Sequence, residues 1–171
     1  MPTAKIILLT INILGGLAVI GSYILGLGPK GSGANALWGG TPVSIRTIYT
    51  ISMVIAALGY LAFIYYLLFK LNDLSIFNYL YFIFLGILLP SIFWMPLTSL
   101  FIVNSSPLIW FAVRLVLIIV GISSCILVWT LFNLHVKESG IFYWLAVIGS
   151  MYFAFHTAIL DMILWPIFFK K

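Results

Sequence analysis

His156 and Asp161 are ionisable side chains in a stretch, Gly140 to Lys171, that is otherwise long and apolar enough to cross a membrane. Taking a carboxylate into hydrocarbon is costly, so Asp161 is expected to face a neighbouring helix, a polar cavity or a partner charge. On an α-helix, Phe153, Thr157, Asp161 and Trp165 recur at i, i+4 spacing and form one aromatic and acidic stripe. Ala146, Ser150, Ala154 and Ala158 form a second stripe of small residues, where another helix can approach closely. His156 and Asp161 are five residues apart, ~140° around such a helix, so they are not expected to meet on one face. That spacing ranks acid–base turnover behind simple binding, and whether the chain is an enzyme stays open.

Two cations compete as partners for Asp161. Arg114 enters its span from the same side and to a similar depth, and Arg46 opens another span on that side. A pair would lower the cost of burying both charges, although desolvation leaves little net gain. A ligand-facing role for Asp161 is compatible with either pairing. Haem ligation by His156 with His135 is not expected, because His135 ends its span on the opposite side and His156 lies ~22 Å from that side. A hydrogen-bonded interior histidine is the expected role of His156. No phosphate loop, zinc-ligand cluster or Ser-His-Asp arrangement with supporting spacing is present in the sequence. Cys125, the single cysteine, falls in an apolar run and reads as a small buried side chain.

The elements that position these residues are membrane helices. Of the 171 residues, 64% are hydrophobic and 6% charged, which excludes an ordinary soluble globule. Apolar windows give an all-α bundle of five spans in one domain, 1–171: Ile6 to Leu27, Ile48 to Phe69, Ile76 to Val103, Ile109 to Leu134, and Ile141 to Phe169. Ala18, Ser22 and Gly26 give the first span a small-residue edge, and Pro90 and Pro96 are expected to kink or divide the third. Residues 28–46, rich in Gly, Pro and Ser, form the only long connection, and Trp38 within it suits a lid over a site. The net charge of +5 comes from residues scattered near span ends, without the basic run that nucleic acid would need. Lys30, Arg46, Arg114, Lys170 and Lys171 outnumber Lys5, Lys70 and Lys137 on the other side. The long connection and C-terminus are therefore expected in the cytoplasm and the N-terminus outside. Trp110, Trp144 and Trp165, near span ends, are expected to anchor at the membrane interface.

Two short runs carry a family resemblance. Trp94-Met95-Pro96-Leu97 resembles the W-x-P-L run of the translocator protein family (tryptophan-rich sensory proteins, TspO), with Ser91 where that family has Asn. Leu160-Asp161-Met162-Ile163-Leu164-Trp165 resembles its L-N-x-x-x-W ending of the fifth helix, with Asp in place of Asn. Tyr49, Met53 and Ala56 resemble its L-Y-x-x-M-G-x-A run loosely, one residue longer between Tyr and Met. The W-x-P-P signature is reduced to Trp38 and Pro42, and Phe153 and His156 stand where the family has Trp and Phe.

The resemblance implies a five-helix bundle, often a homodimer, that holds a lipophilic small molecule beneath the first long connection. Tetrapyrroles, including a non-covalently held porphyrin, and sterols are the implied ligands. Ser91, Trp94, Phe153 and Thr157 would surround the pocket, with Asp161 and Trp165 towards its loop end. His156, Asp161 or Arg114 would orient the ligand and Trp38 would control access, without a metal or a catalytic residue. The alternative is an accessory subunit of a larger membrane complex, for which small-residue stripes and few charges are equally expected.

Overall fold

In a computed structural model, residues 1–28, 33–134 and 140–169 are described, and they form an all-helical membrane bundle. Five helices are long and apolar enough to span a bilayer: α1 (Thr3–Leu27), α3 (Val43–Lys70), α4 (Phe77–Val103), α5 (Pro107–Phe132) and α6 (Ile141–Phe168). A short helix, α2 (Gly33–Trp38), lies between the first two. Prolines mark three starts, with Pro2 and Pro42 just before α1 and α3 and Pro107 in the first turn of α5. A missing N–H costs nothing in a helix's first turn.

The connection expected over 28–46 is therefore shorter, because α2 occupies part of it and α3 begins at Val43. Its end is docked. Gly39 adopts φ +51°, and a Cβ there would stand 2.8 Å from the Phe169 ring, so glycine is required both for the turn and for the close approach. Pro90 and Pro96 do not divide α4, which runs unbroken through both. Cys125 is exposed on the outer face of α5, contrary to the buried reading. Trp165 is buried inside the bundle and is not an interfacial anchor, whereas Trp144 is exposed.

The helices pack in the order α1, α4, α5, α6, α3, and α1 also meets the last turn of α3 at Tyr66–Lys70. Lipid tails are as apolar as leucine, so helices in a membrane associate through close packing. Small residues allow it: Gly26 of α1 lies on Met95, Gly121 of α5 on Ala158, and Gly59 of α3 directly on the Gly149 backbone of α6. The stripe Ala146, Ser150, Ala154 and Ala158 is buried, as its spacing predicts.

Two apolar clusters fill the bundle. One, on the side of the N-terminus, contains Leu8, Phe63, Tyr66, Phe77, Phe84, Leu127 and Tyr143. The other, on the side of the 28–42 segment, contains Tyr49, Phe101, Leu117, Trp165 and Phe169, with Trp38, Trp94 and Trp110 against it. The bundle closes more tightly at the first. There α1 touches the end of α3, and the Tyr60 hydroxyl of α3 donates to Asn12 Oδ1 of α1. Nearer the 28–42 segment, α1 packs on α4 and α2, and among the described residues it shares no extended backbone packing with α3.

Candidate functional site

The last helix is not α-helical throughout: Phe155–Leu164 is a π-helix. Its i→i+5 bonding brings residues five apart onto one face, and such segments recur at functional sites. His156 and Asp161 consequently do meet, with Nε2 of the imidazole 3.5 Å from Oδ2 of the carboxylate. The expectation of a ~140° separation assumed 3.6 residues per turn, and the wider π turn overturns it.

The other imidazole nitrogen, Nδ1, lies 2.9 Å from Ser52 Oγ of α3, and the Tyr152 hydroxyl donates to that same oxygen at 3.2 Å. With hydrogen on Nε2, each contact has a donor and an acceptor: Tyr152 to Ser52, Ser52 to His156, His156 to Asp161. Tyr49 closes the group by donating from its hydroxyl to the Leu160 carbonyl at 2.7 Å, and its ring stands edge-on to His156 at 6.4 Å. The sequence reading missed Ser52 and Tyr152, since they lie 104 and 100 residues from their partners on the apolar helices α3 and α6. Ser52 is only 3% exposed, so no substrate reaches its oxygen, and the chain serves to hold the imidazole and hence the carboxylate.

Asp161 differs from its partners in access. Its side chain is 34% exposed, and it lies within electrostatic reach of Tyr23 on α1 and Tyr49 on α3. Neither expected cation neutralises it. Among the described residues no ion pair joins Arg114 or Arg46 to Asp161. Arg114 Nε is enclosed without a hydrogen-bond partner, and Arg46 Nε donates to the Thr41 carbonyl at 2.8 Å while its guanidinium lies 5.9 Å from the Trp38 ring centre. Shared depth did not produce a pair, because the π turn directs the carboxylate towards His156 and the two tyrosines.

Around this carboxylate the indoles form a continuous file. Trp94 contacts Tyr23 and Trp165, each at 5.6 Å between centres, and Trp165 stacks on Phe169 at 4.4 Å. Trp165 Nε1 donates to the Leu37 carbonyl at 3.1 Å, and Trp38 stands edge-on to Tyr49 at 5.9 Å, so α2 is pinned over the group. A groove of ≈570 Å³ runs along α1 beside Val19, Ile20, Tyr23, Ile24, Leu27 and Gly28. Tyr23 thus borders the groove and the carboxylate together.

Of the residues singled out by sequence, Trp38, Tyr49, Trp94, His156, Asp161 and Trp165 are brought together. Thr157 is buried beside them but bonds its own helix, at the Phe153 carbonyl. Ser91 does the same, at the Ile87 carbonyl, 2.6 Å away. Phe153 leaves the group. It packs on Tyr60 and Phe63 at 5.5 and 5.6 Å, against the opposite cluster, because the i, i+4 stripe drawn through it breaks at the π segment. His135 lies outside the described residues. Among the described residues no group of three potential metal ligands occurs. The chain matches no protein-family model, no curated protein and no solved structure.

Proposed function

We propose that this protein is an integral-membrane binding or sensory protein for a flat lipophilic molecule, tetrapyrrole-like or sterol-like, held beneath the segment that carries α2. One observation carries the reading: the looser contact between α1 and α3 on that side coincides with a one-third-exposed carboxylate and a file of indoles. The ligand enters from the bilayer between α1 and α3, lies against Tyr23 and Trp94, and meets Asp161 with its polar group. Aromatic walls with few polar groups suit such a ligand, and the open apolar groove along α1 leads to Tyr23. Helix α2, pinned by Trp165, acts as the cover. In the membrane the 28–42 segment and C-terminus face the cytoplasm, following the excess of Lys and Arg on that side. A homodimer is the assembly this reading favours.

The test is tryptophan-fluorescence quenching by protoporphyrin in reconstituted protein. Saturable quenching is expected, weakened by Trp94→Ala and Tyr23→Ala and unchanged by Phe153→Ala. Quenching indifferent to both loop-side variants contradicts this pocket. Isolation from native membranes as a stable hetero-complex, with a partner helix seated between α1 and α3, favours the accessory-subunit role instead.

A further inference from the structure

Among the described residues, Asp161 pairs with no lysine or arginine. The interior of a bilayer penalises an ionised aspartate, and proteins ordinarily meet that cost by pairing. Here the two described arginines of that side are otherwise placed. Arg114 does not come within ion-pair distance, and Arg46 is held by the Thr41 carbonyl and the Trp38 ring. Among the described residues, His156 is the ionisable side chain within ion-pair distance. Its 3.5 Å approach is long for a charge-assisted hydrogen bond, which runs about 2.7–2.9 Å, so the carboxylate retains acceptor capacity.

The surroundings of that capacity are specific. Tyr49 has committed its hydroxyl hydrogen to Leu160, and therefore offers Asp161 no donor. Tyr23, which lines the groove, and Trp94 are both partly exposed and lean on each other, and their ring faces are rich in electron density. A carboxylate with open acceptor positions beside aromatic faces recognises a positive group through an ion pair and cation–π attraction together.

We propose that the lipophile bound here carries a protonated amine, which pairs with Asp161 and lies against Tyr23 and Trp94. This rests on the lipophile-binding reading above and adds the charge of the ligand to it. The chain from Tyr152 through Ser52 to His156 then has a definite role. It fixes the orientation of the carboxylate, and the π-helix places the imidazole where it can do so.

The experiment uses the full chain in nanodiscs of zwitterionic lipid with two probes, dibrominated octadecylamine and dibrominated octadecanol, whose bromines quench tryptophan on contact. The two share a tail and differ in charge. The amine is expected to quench saturably at a concentration at least about tenfold below the alcohol, the equivalent of one good ion pair. Asp161→Asn removes that advantage and leaves the alcohol unchanged, whereas Asp161→Glu retains it. An amine no better than the alcohol, or an advantage that survives Asp161→Asn, overturns the proposal, because the carboxylate is then neutralised by its own proton. Should Asp161→Asn fail to fold, the amine-to-alcohol ratio of the unmodified protein and of Asp161→Glu decides the matter. Saturable alcohol binding without an amine preference leaves the lipophile reading standing, while saturation by neither probe together with no response to protoporphyrin removes that reading as well.

Discussion

On the side of the N-terminus, the aromatic core around Phe63 and Phe84 holds three tyrosines with bonded hydroxyls: Tyr60 with Asn12, Tyr81 with the Ala4 carbonyl, and Tyr143 with the Leu131 carbonyl. On the side of α2, an equally aromatic core leaves Trp94 Nε1, Thr98 Oγ1, Ser99 Oγ and Arg114 Nε enclosed without partners among the described residues. The bilayer supplies no water to repair such omissions. Each buried orphan costs about 1–3 kcal/mol, so the two ends of one bundle differ in how far their polar atoms are stabilised. The first end behaves as a fastening and the second as a place where stability has been given up. Binding sites tend to be drawn from such low-stability regions.

Breaking the fastening should therefore have the largest effect. Phe63 is fully buried among Tyr60, Phe84 and Phe153. Phe63→Ala is expected to lower unfolding stability by about 3–5 kcal/mol, read by denaturant titration in bicelles. Probe affinity per folded molecule should stay the same. A matching loss of affinity would mean that the two ends are one energetic unit and do not differ in kind.

Next in size is the helix contact between the two clusters. A Cβ on Gly59 would stand 2.5 Å from the Gly149 carbonyl oxygen, and backbone cannot move aside as a flexible side chain can. Gly59→Ala should cost about 1–3 kcal/mol by overpacking and part α3 from α6. Because Ser52 of α3 holds His156 of α6, the same change should weaken probe binding. Gly21→Ala is the control, since a Cβ there meets nothing within 4 Å. Equal stability of the two variants would show that α3 and α6 are not closely apposed.

The five spans, the small-residue stripe of the last helix and the placing of Asp161 with Trp165 were legible because hydropathy and i, i+4 spacing encode them, whereas Trp94 was set beside them only by the resemblance. The His156–Asp161 contact was not. A period of 3.6 is assumed in reading any helix, and a π segment has no separate hydrophobic signature, so the same assumption carried Phe153 to the wrong end. The spacing itself was the available hint: two ionisable residues five apart on an apolar helix are better placed by π than by α geometry. Ser52 was hidden for another reason. A serine among apolar residues reads as helix packing until its distant partner is known, and Ser124 and Ser150 in this chain do no more than bond their own helices.

Two identical substitutions sharpen the contrast at the α2 side itself. Trp165 Nε1 has an acceptor in the Leu37 carbonyl, and Trp94 Nε1 has none. Trp165→Phe should cost about 1 kcal/mol for the missing hydrogen bond and release α2, seen as faster amide exchange or proteolysis over residues 33–42. In Trp94→Phe the smaller ring packs less well, but an unsatisfied donor is removed with the indole. The two effects oppose each other, so stability should change by no more than about 0.5 kcal/mol and exchange over α2 should stay the same. The same denaturant titration reads both. A cost at Trp94 equal to that at Trp165 would mean that its N–H has found an acceptor in the membrane. The loop side would then hold one orphan fewer, and the asymmetry between the two ends would narrow.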